Sequence, residues 1–101
     1  MSFGIAENTI TLLHQVFSHF PEIEQVVLFG SRAKGNFKNG SDIDFAVKGD
    51  IDLKLLNKIS HEIDDLLLPY QVDLVNLSTI SHQDLLEHIK RVGIIFYNKN
   101  E

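Results

Sequence analysis

The apolar residues of this chain recur at two different periods, and the switches between those periods mark out its elements. Between residues 5 and 20, Leu13, Val16, Phe17 and Phe20 fall at i, i+3, i+4 and i+7, which predicts an amphipathic helix closed near Pro21. Gln25-Val26-Val27-Leu28-Phe29 is a short β-branched run that stops at Gly30, the pattern of a buried strand. Residues 31–35 read as a helical turn and Asn36 to Gly40 as a loop, and Asp42 to Lys48 alternates as a second strand. Helical spacing returns over 52–67, with Leu56, Ile59, Ile63, Leu66 and Leu67 on one face and Pro69 closing the helix. Gln71 to Leu77 is predicted as a third strand. Ser81, with Asp84 three residues on, reads as the cap of a last helix whose buried stripe is Leu85, Leu86 and Ile89. Gly93 ends that helix, and Ile94 to Tyr97 follows as an edge strand with Ile95 and Tyr97 facing outward. Helices and strands alternating in this order predict an α/β fold, a small mixed β-sheet with helices packed on it.

At 101 residues the chain reads as a single domain, 1–101, large enough for one core and too small for two. A net charge of −5 argues against general nucleic-acid binding. No apolar run approaches the roughly 20 residues of a membrane span. Met1 to Gly4 lacks the basic-then-apolar pattern of a signal peptide, so the expected location is cytoplasmic. The absence of cysteine excludes disulfides and thiolate metal sites.

Against this acidic background, residues 30–45, GSRAKGNFKNGSDIDF, stand out. Gly30-Ser31 leaves a strand for a helix start, where free N–H groups favour an anion such as phosphate. Ser31 adds a hydroxyl donor, and Arg32, Lys34 and Lys38 add positive charge suited to a polyphosphate. Asp42 and Asp44 are the anionic counterpart. On a strand, residues i and i+2 share a face roughly 6.5–7 Å apart, and two carboxylates so placed repel unless a hard cation such as Mg²⁺ lies between them. Ile43, Phe45 and Val47 fall on the opposite, core-forming face. Asp73 interrupts the apolar Val72-Asp73-Leu74-Val75, where a lone carboxylate is costly unless paired or metal-bound. If its strand lies beside the second one, the three aspartates gather over one metal cluster, an arrangement suited to metal-assisted nucleotidyl transfer.

Gly30-Ser31, ten residues, then Asp42-Ile43-Asp44 resembles the signature of the DNA polymerase β-type nucleotidyltransferases. The short chain, the run Gly-Ser-Arg-Ala-Lys-Gly and the later Val-Asp-Leu strand are similar to the minimal nucleotidyltransferase (MNT) group in particular. The resemblance implies a Mg²⁺-dependent transfer of AMP from ATP to a hydroxyl, with two metal ions. It implies Asp42, Asp44 and Asp73 as catalytic residues and metal ligands, and Gly30, Ser31, Arg32 and Lys34 as nucleotide-binding residues. It also implies a partner, a HEPN-domain toxin modified on tyrosine, which this chain would neutralise as an antitoxin in a hetero-oligomer. Two alternatives stay open: an antitoxin that neutralises by binding alone, and an adenylyltransferase acting on a small molecule.

Asp50-Ile51-Asp52 repeats the Asp-x-Asp pattern, but it follows Gly49 and precedes Leu53-Lys54-Leu55-Leu56, so it reads as helix capping. The histidine pairs His14/His19 and His82/His88 lack the i, i+4 spacing of a helical metal pair, and His61 stands alone. They read as surface or half-buried residues.

Overall fold

The computed structural model describes residues 3–38 and 40–100. Asn39, inside the expected loop, lies outside them, as do Met1, Ser2 and Glu101. The elements run α1 (Glu7–Ser18), β1 (Ile23–Phe29), α2 (Ser31–Lys34), β2 (Ile43–Gly49), α3 (Leu53–Asp64), β3 (Val72–Asn76), a 3₁₀ turn (Leu77–Thr79), α4 (Gln83–Val92) and β4 (Ile94–Asn98). The sheet order is β3-β2-β1-β4. β1 is antiparallel to both β2 and β4, whereas β2 and β3 are parallel and joined through α3, so the sheet is mixed as expected.

Alternation along the strands divides the sheet into two unequal faces. Val26 and Leu28 of β1, with Ile43, Phe45 and Val47 of β2, are buried against Leu13, Val16 and Phe17 of α1 and Ile59 and Ile63 of α3. Phe17, Phe45 and Phe96 interlock at the centre, with ring centroids 5.4, 4.7 and 6.1 Å apart in pairs. Such aromatic pairs add about 0.5–1.5 kcal/mol each beyond their burial. The other face is thinner: Val27, Phe29 and Ala46 meet Ile89 of α4. Phe29 pairs with Asp44 in the ladder, so Asp44 lies on this thin face, away from the main core.

Several boundaries differ from those the periodicity predicts. β2 begins at Ile43, which places Asp42 on the approach to the strand. α3 ends at Asp64 because Leu66 and Leu67 donate to the carbonyls three residues back, tightening the last turn. Leu67 then takes a left-handed φ of 53° and is 88% exposed, not part of the buried stripe. β3 stops at Asn76, whose side chain accepts from the Ser78 N–H at 3.1 Å and bends the chain into the 3₁₀ turn. The cap of α4 is His82, not Ser81: His82 Nδ1 accepts from the Leu85 N–H at 3.2 Å. In β4 the pairing skips Phe96, matching Ile95 to Val27 and Tyr97 to Val26. The resulting bulge turns both Phe96 and Tyr97 toward the main core, leaving Ile95, 56% exposed, to face outward without Tyr97. No helix among the described residues is long and apolar enough to cross a membrane.

Candidate active site

The site is built around the end of β1. Phe29 is the last ladder partner of Asp44, and the chain then turns at Gly30 with φ 77° and ψ −157°, a conformation that side chains rarely allow. A Cβ at this position would collide with Asp44 Oδ2. Glycine is thus required both for the turn and for the close passage of backbone beside the carboxylate. α2 follows as a single turn ended by Gly35 at φ 86°. With only that turn behind Ser31, little dipole accumulates, and what is offered to an anion is the local hydroxyl and N–H groups. Lys34 and Lys38 are exposed, and neither joins an ion pair among the described residues.

Asp73 of β3 stands directly opposite Asp44 in the parallel ladder, and Asp42 lies two residues before Asp44. Burial raises the Asp44 carboxyl above its ordinary value, and the negative charges of Asp73 and Asp42 raise it further, with His88 acting in the opposite sense. The carboxylates therefore sense one another. Among the described residues, however, no three acidic or histidine side chains are drawn into a ready-made metal cluster. Hard oxygen donors whose mutual repulsion already burdens Asp44 are a set that a divalent cation such as Mg²⁺ fits.

Arg32 is placed differently from the expectation of a phosphate contact. It is 3% exposed, with Nε and Nη2 donating to the Ser41 carbonyl at 3.2 and 2.8 Å and Nη1 donating to the Phe3 carbonyl at 2.9 Å. Its guanidinium lies 5.0 Å from the Phe37 ring centroid and 5.1 Å from that of Tyr70. The Tyr70 hydroxyl in turn donates to the Gly4 carbonyl and accepts from the Ala6 N–H. Arg32 thus clamps the approach to Asp42 against the N-terminal segment and the residues leading into β3.

A family model described as polymerase beta, nucleotidyltransferase, matches residues 12–101. The chain belongs to this family. This nucleotidyltransferase is 31% identical over 93 residues to a Haemophilus influenzae protein named probable protein adenylyltransferase MntA, across 90% of this chain and 77% of the relative. Among solved structures, a toxin–antitoxin with AMP-PNP gives a TM-score of 0.70 at 27% identity, covering 93% of this chain and 74% of that one. A complex of a tri-AMPylated Shewanella oneidensis HEPN toxin with an MNT antitoxin gives 0.64 at 24% identity, covering 98% and 75%, a likeness of fold.

One neighbour of Gly30 has no counterpart in the motif. His88 of α4 accepts the Gly30 N–H through Nε2 at 3.2 Å and sets its ring edge-on to Phe29, with centroids 6.1 Å apart. Its sequence signal is positional: His88 is three residues after Leu85 and one before Ile89, on the stripe that packs against the sheet. Two cavities, of about 200 and 360 Å³, lie elsewhere, the first beside Ile63, Tyr70 and Val72 and the second beside Ile51, Leu56 and Val75. Neither is lined by any of the three aspartates.

Proposed function

We propose that this nucleotidyltransferase moves AMP from ATP to a tyrosine hydroxyl of a HEPN-type toxin in the cytoplasm and acts as that toxin's antitoxin. The observation that carries the reading is the opposition of Asp44 and Asp73 beside a turn that only glycine can make. Two similarities support it: a relative named as a protein adenylyltransferase, and a toxin–antitoxin structure with a nucleotide analogue.

Asp42, Asp44 and Asp73 would hold Mg²⁺, which supplies charge neutralisation for the triphosphate and its transition state. Gly30 and Ser31 orient the β- and γ-phosphates so that the leaving group departs in line with attack. The acceptor oxygen bonds to the α-phosphorus, the bond from that phosphorus to the β-bridging oxygen breaks, and pyrophosphate leaves with the electron pair. The exposed Asp73 carboxylate takes the hydroxyl proton.

The test is to incubate a purified HEPN toxin from the same organism with this protein, ATP and Mg²⁺, then separate the two. A toxin that stays inactive and carries added AMP by mass spectrometry, with no mark from Asp42→Asn/Asp44→Asn, is the expected result. An unmarked toxin neutralised equally by the double variant would show inhibition by contact alone.

A further inference from the structure

We propose that His88 is a positioning residue of the nucleotidyl-transfer site, pinning the Gly30 peptide so that the phosphate-binding turn keeps one orientation. Gly30 is where the site is most exacting and least constrained by its own side chain. Its φ and ψ lie where glycine is free and other residues are not, so the peptides on either side are held by what they bond: the Gly30 carbonyl accepts from the Lys34 N–H at 3.1 Å, and the Phe29–Gly30 peptide is held through the Gly30 N–H. The acceptor for its N–H is the Nε2 lone pair of His88, 58 residues away in sequence. In the neutral ring, that bond places the proton on Nδ1.

The ring is fixed from two sides. Phe29 meets it edge-to-face at an interplanar angle of 81°. The helix that carries it is anchored one residue on by Ile89, 5% exposed against Val27, Phe29 and Ala46. α4 contributes none of the motif residues, yet through this bond it joins the end of β1 and, across the Gly30–Asp44 contact, the acidic strand β2. A half-buried histidine spent on one backbone N–H in this position serves the turn; the thin apolar contact of α4 with the sheet would be made as well by leucine.

The proposal rests on the reading of this face as the nucleotide site, and the experiment keeps the two apart. His88→Leu retains the packing against Phe29 and removes the acceptor; His88→Gln restores an acceptor at similar reach. Hydrogen exchange at the Gly30 amide is followed by NMR without nucleotide, and affinity for Mg²⁺·AMP-PNP is measured by calorimetry. For His88→Leu, Gly30 exchange is expected to rise about fivefold or more while the amides of Val26 to Leu28 stay protected, as suits the loss of one net hydrogen bond. Affinity falls about fivefold to tenfold, and His88→Gln recovers most of both changes. Unchanged Gly30 exchange in His88→Leu overturns the proposal. So does unchanged or tighter nucleotide binding, which would mean that His88 merely masks a phosphate donor. Failure of the unsubstituted protein to bind Mg²⁺·AMP-PNP would defeat the nucleotide reading instead, and the exchange data would still report on the pin.

Discussion

Arg32 donates two hydrogen bonds to the carbonyl oxygen of Ser41, the residue immediately before Asp42. A basic side chain of the loop after β1 is thereby used to hold the backbone that leads to an acidic residue. Charge-assisted bonds to a partly buried carbonyl are among the stronger ones, and removing the donor takes both of them away.

The first prediction follows from that clamp. Arg32→Ala should lower stability by about 2–4 kcal/mol in urea unfolding, and Arg32→Lys should recover little, because an ammonium lacks the planar fork that reaches both Ser41 and Phe3. A phosphate ligand would behave otherwise. Near-normal stability with a selective loss of nucleotide binding would return Arg32 to the triphosphate.

The second concerns two glycines of opposite consequence. Gly30 and Gly35 both have positive φ, but a Cβ at Gly30 meets Asp44 Oδ2 while one at Gly35 meets nothing within 4 Å. Gly35→Ala should cost about 1 kcal/mol of backbone strain and leave affinity for Mg²⁺·AMP-PNP within about twofold. Gly30→Ala should cost more and also displace the carboxylate, lowering that affinity by more than about tenfold. Equal effects of the two changes would remove any special role from the Gly30–Asp44 contact.

Most of this architecture was legible in the chain because its signals are periodic and local. Phe45 and Val47 alternate with Asp44, so the division of β2 into a core side and a chemical side needed no tertiary information. The spacing from Gly30-Ser31 to Asp42 led to the right family, since both the turn and the acidic pair are short-range features. What escaped depends on distant partners. His88 meets Gly30 across 58 residues, and nothing in its spacing from other histidines reports an acceptor role. Arg32 looks like a phosphate ligand until Ser41 and Phe3 are brought to it. Tyr97 turns inward only because a bulge in β4 shifts the register, which alternation alone does not reveal.

The third prediction is a pH dependence. The Asp44 carboxyl titrates above its ordinary value in the fold because of burial and the charges of Asp73 and Asp42. The folded state therefore binds more protons than the unfolded one between the unfolded value near 3.9 and the raised folded value. This contribution to stability is fully present below the unfolded value and is lost as pH rises through the folded one, so the charged carboxylate is a cost at neutral pH. Asp44→Asn should melt at a higher temperature than the unsubstituted protein at pH 7, with the difference shrinking as pH approaches 4. Added Mg²⁺ should stabilise the unsubstituted protein and not the variant, since only a species that binds the native state shifts the equilibrium. A variant less stable than its parent at pH 7 would mean that Asp44 is stabilised by a partner and not strained by its neighbours.

The last prediction separates the two Asp-x-Asp pairs. Asp52 is the N-cap of α3, its Oδ1 accepting from the Leu55 N–H at 2.8 Å, whereas Asp44 makes no such cap and stands opposite another aspartate. Identical sequence patterns thus have opposite electrostatic settings: one carboxylate is satisfied by a backbone donor, the other is crowded by like charge. Asp52→Ala should lose about 1 kcal/mol of stability, and Asp52→Asn almost none, because asparagine caps as well as aspartate. Both should bind Mg²⁺·AMP-PNP with unchanged affinity. Asp44→Asn should show the reverse profile, stable and deficient in binding. Paired calorimetry and melting curves on these variants decide the assignment, and a binding defect in Asp52→Asn with normal binding in Asp44→Asn would transfer the metal site to the other pair.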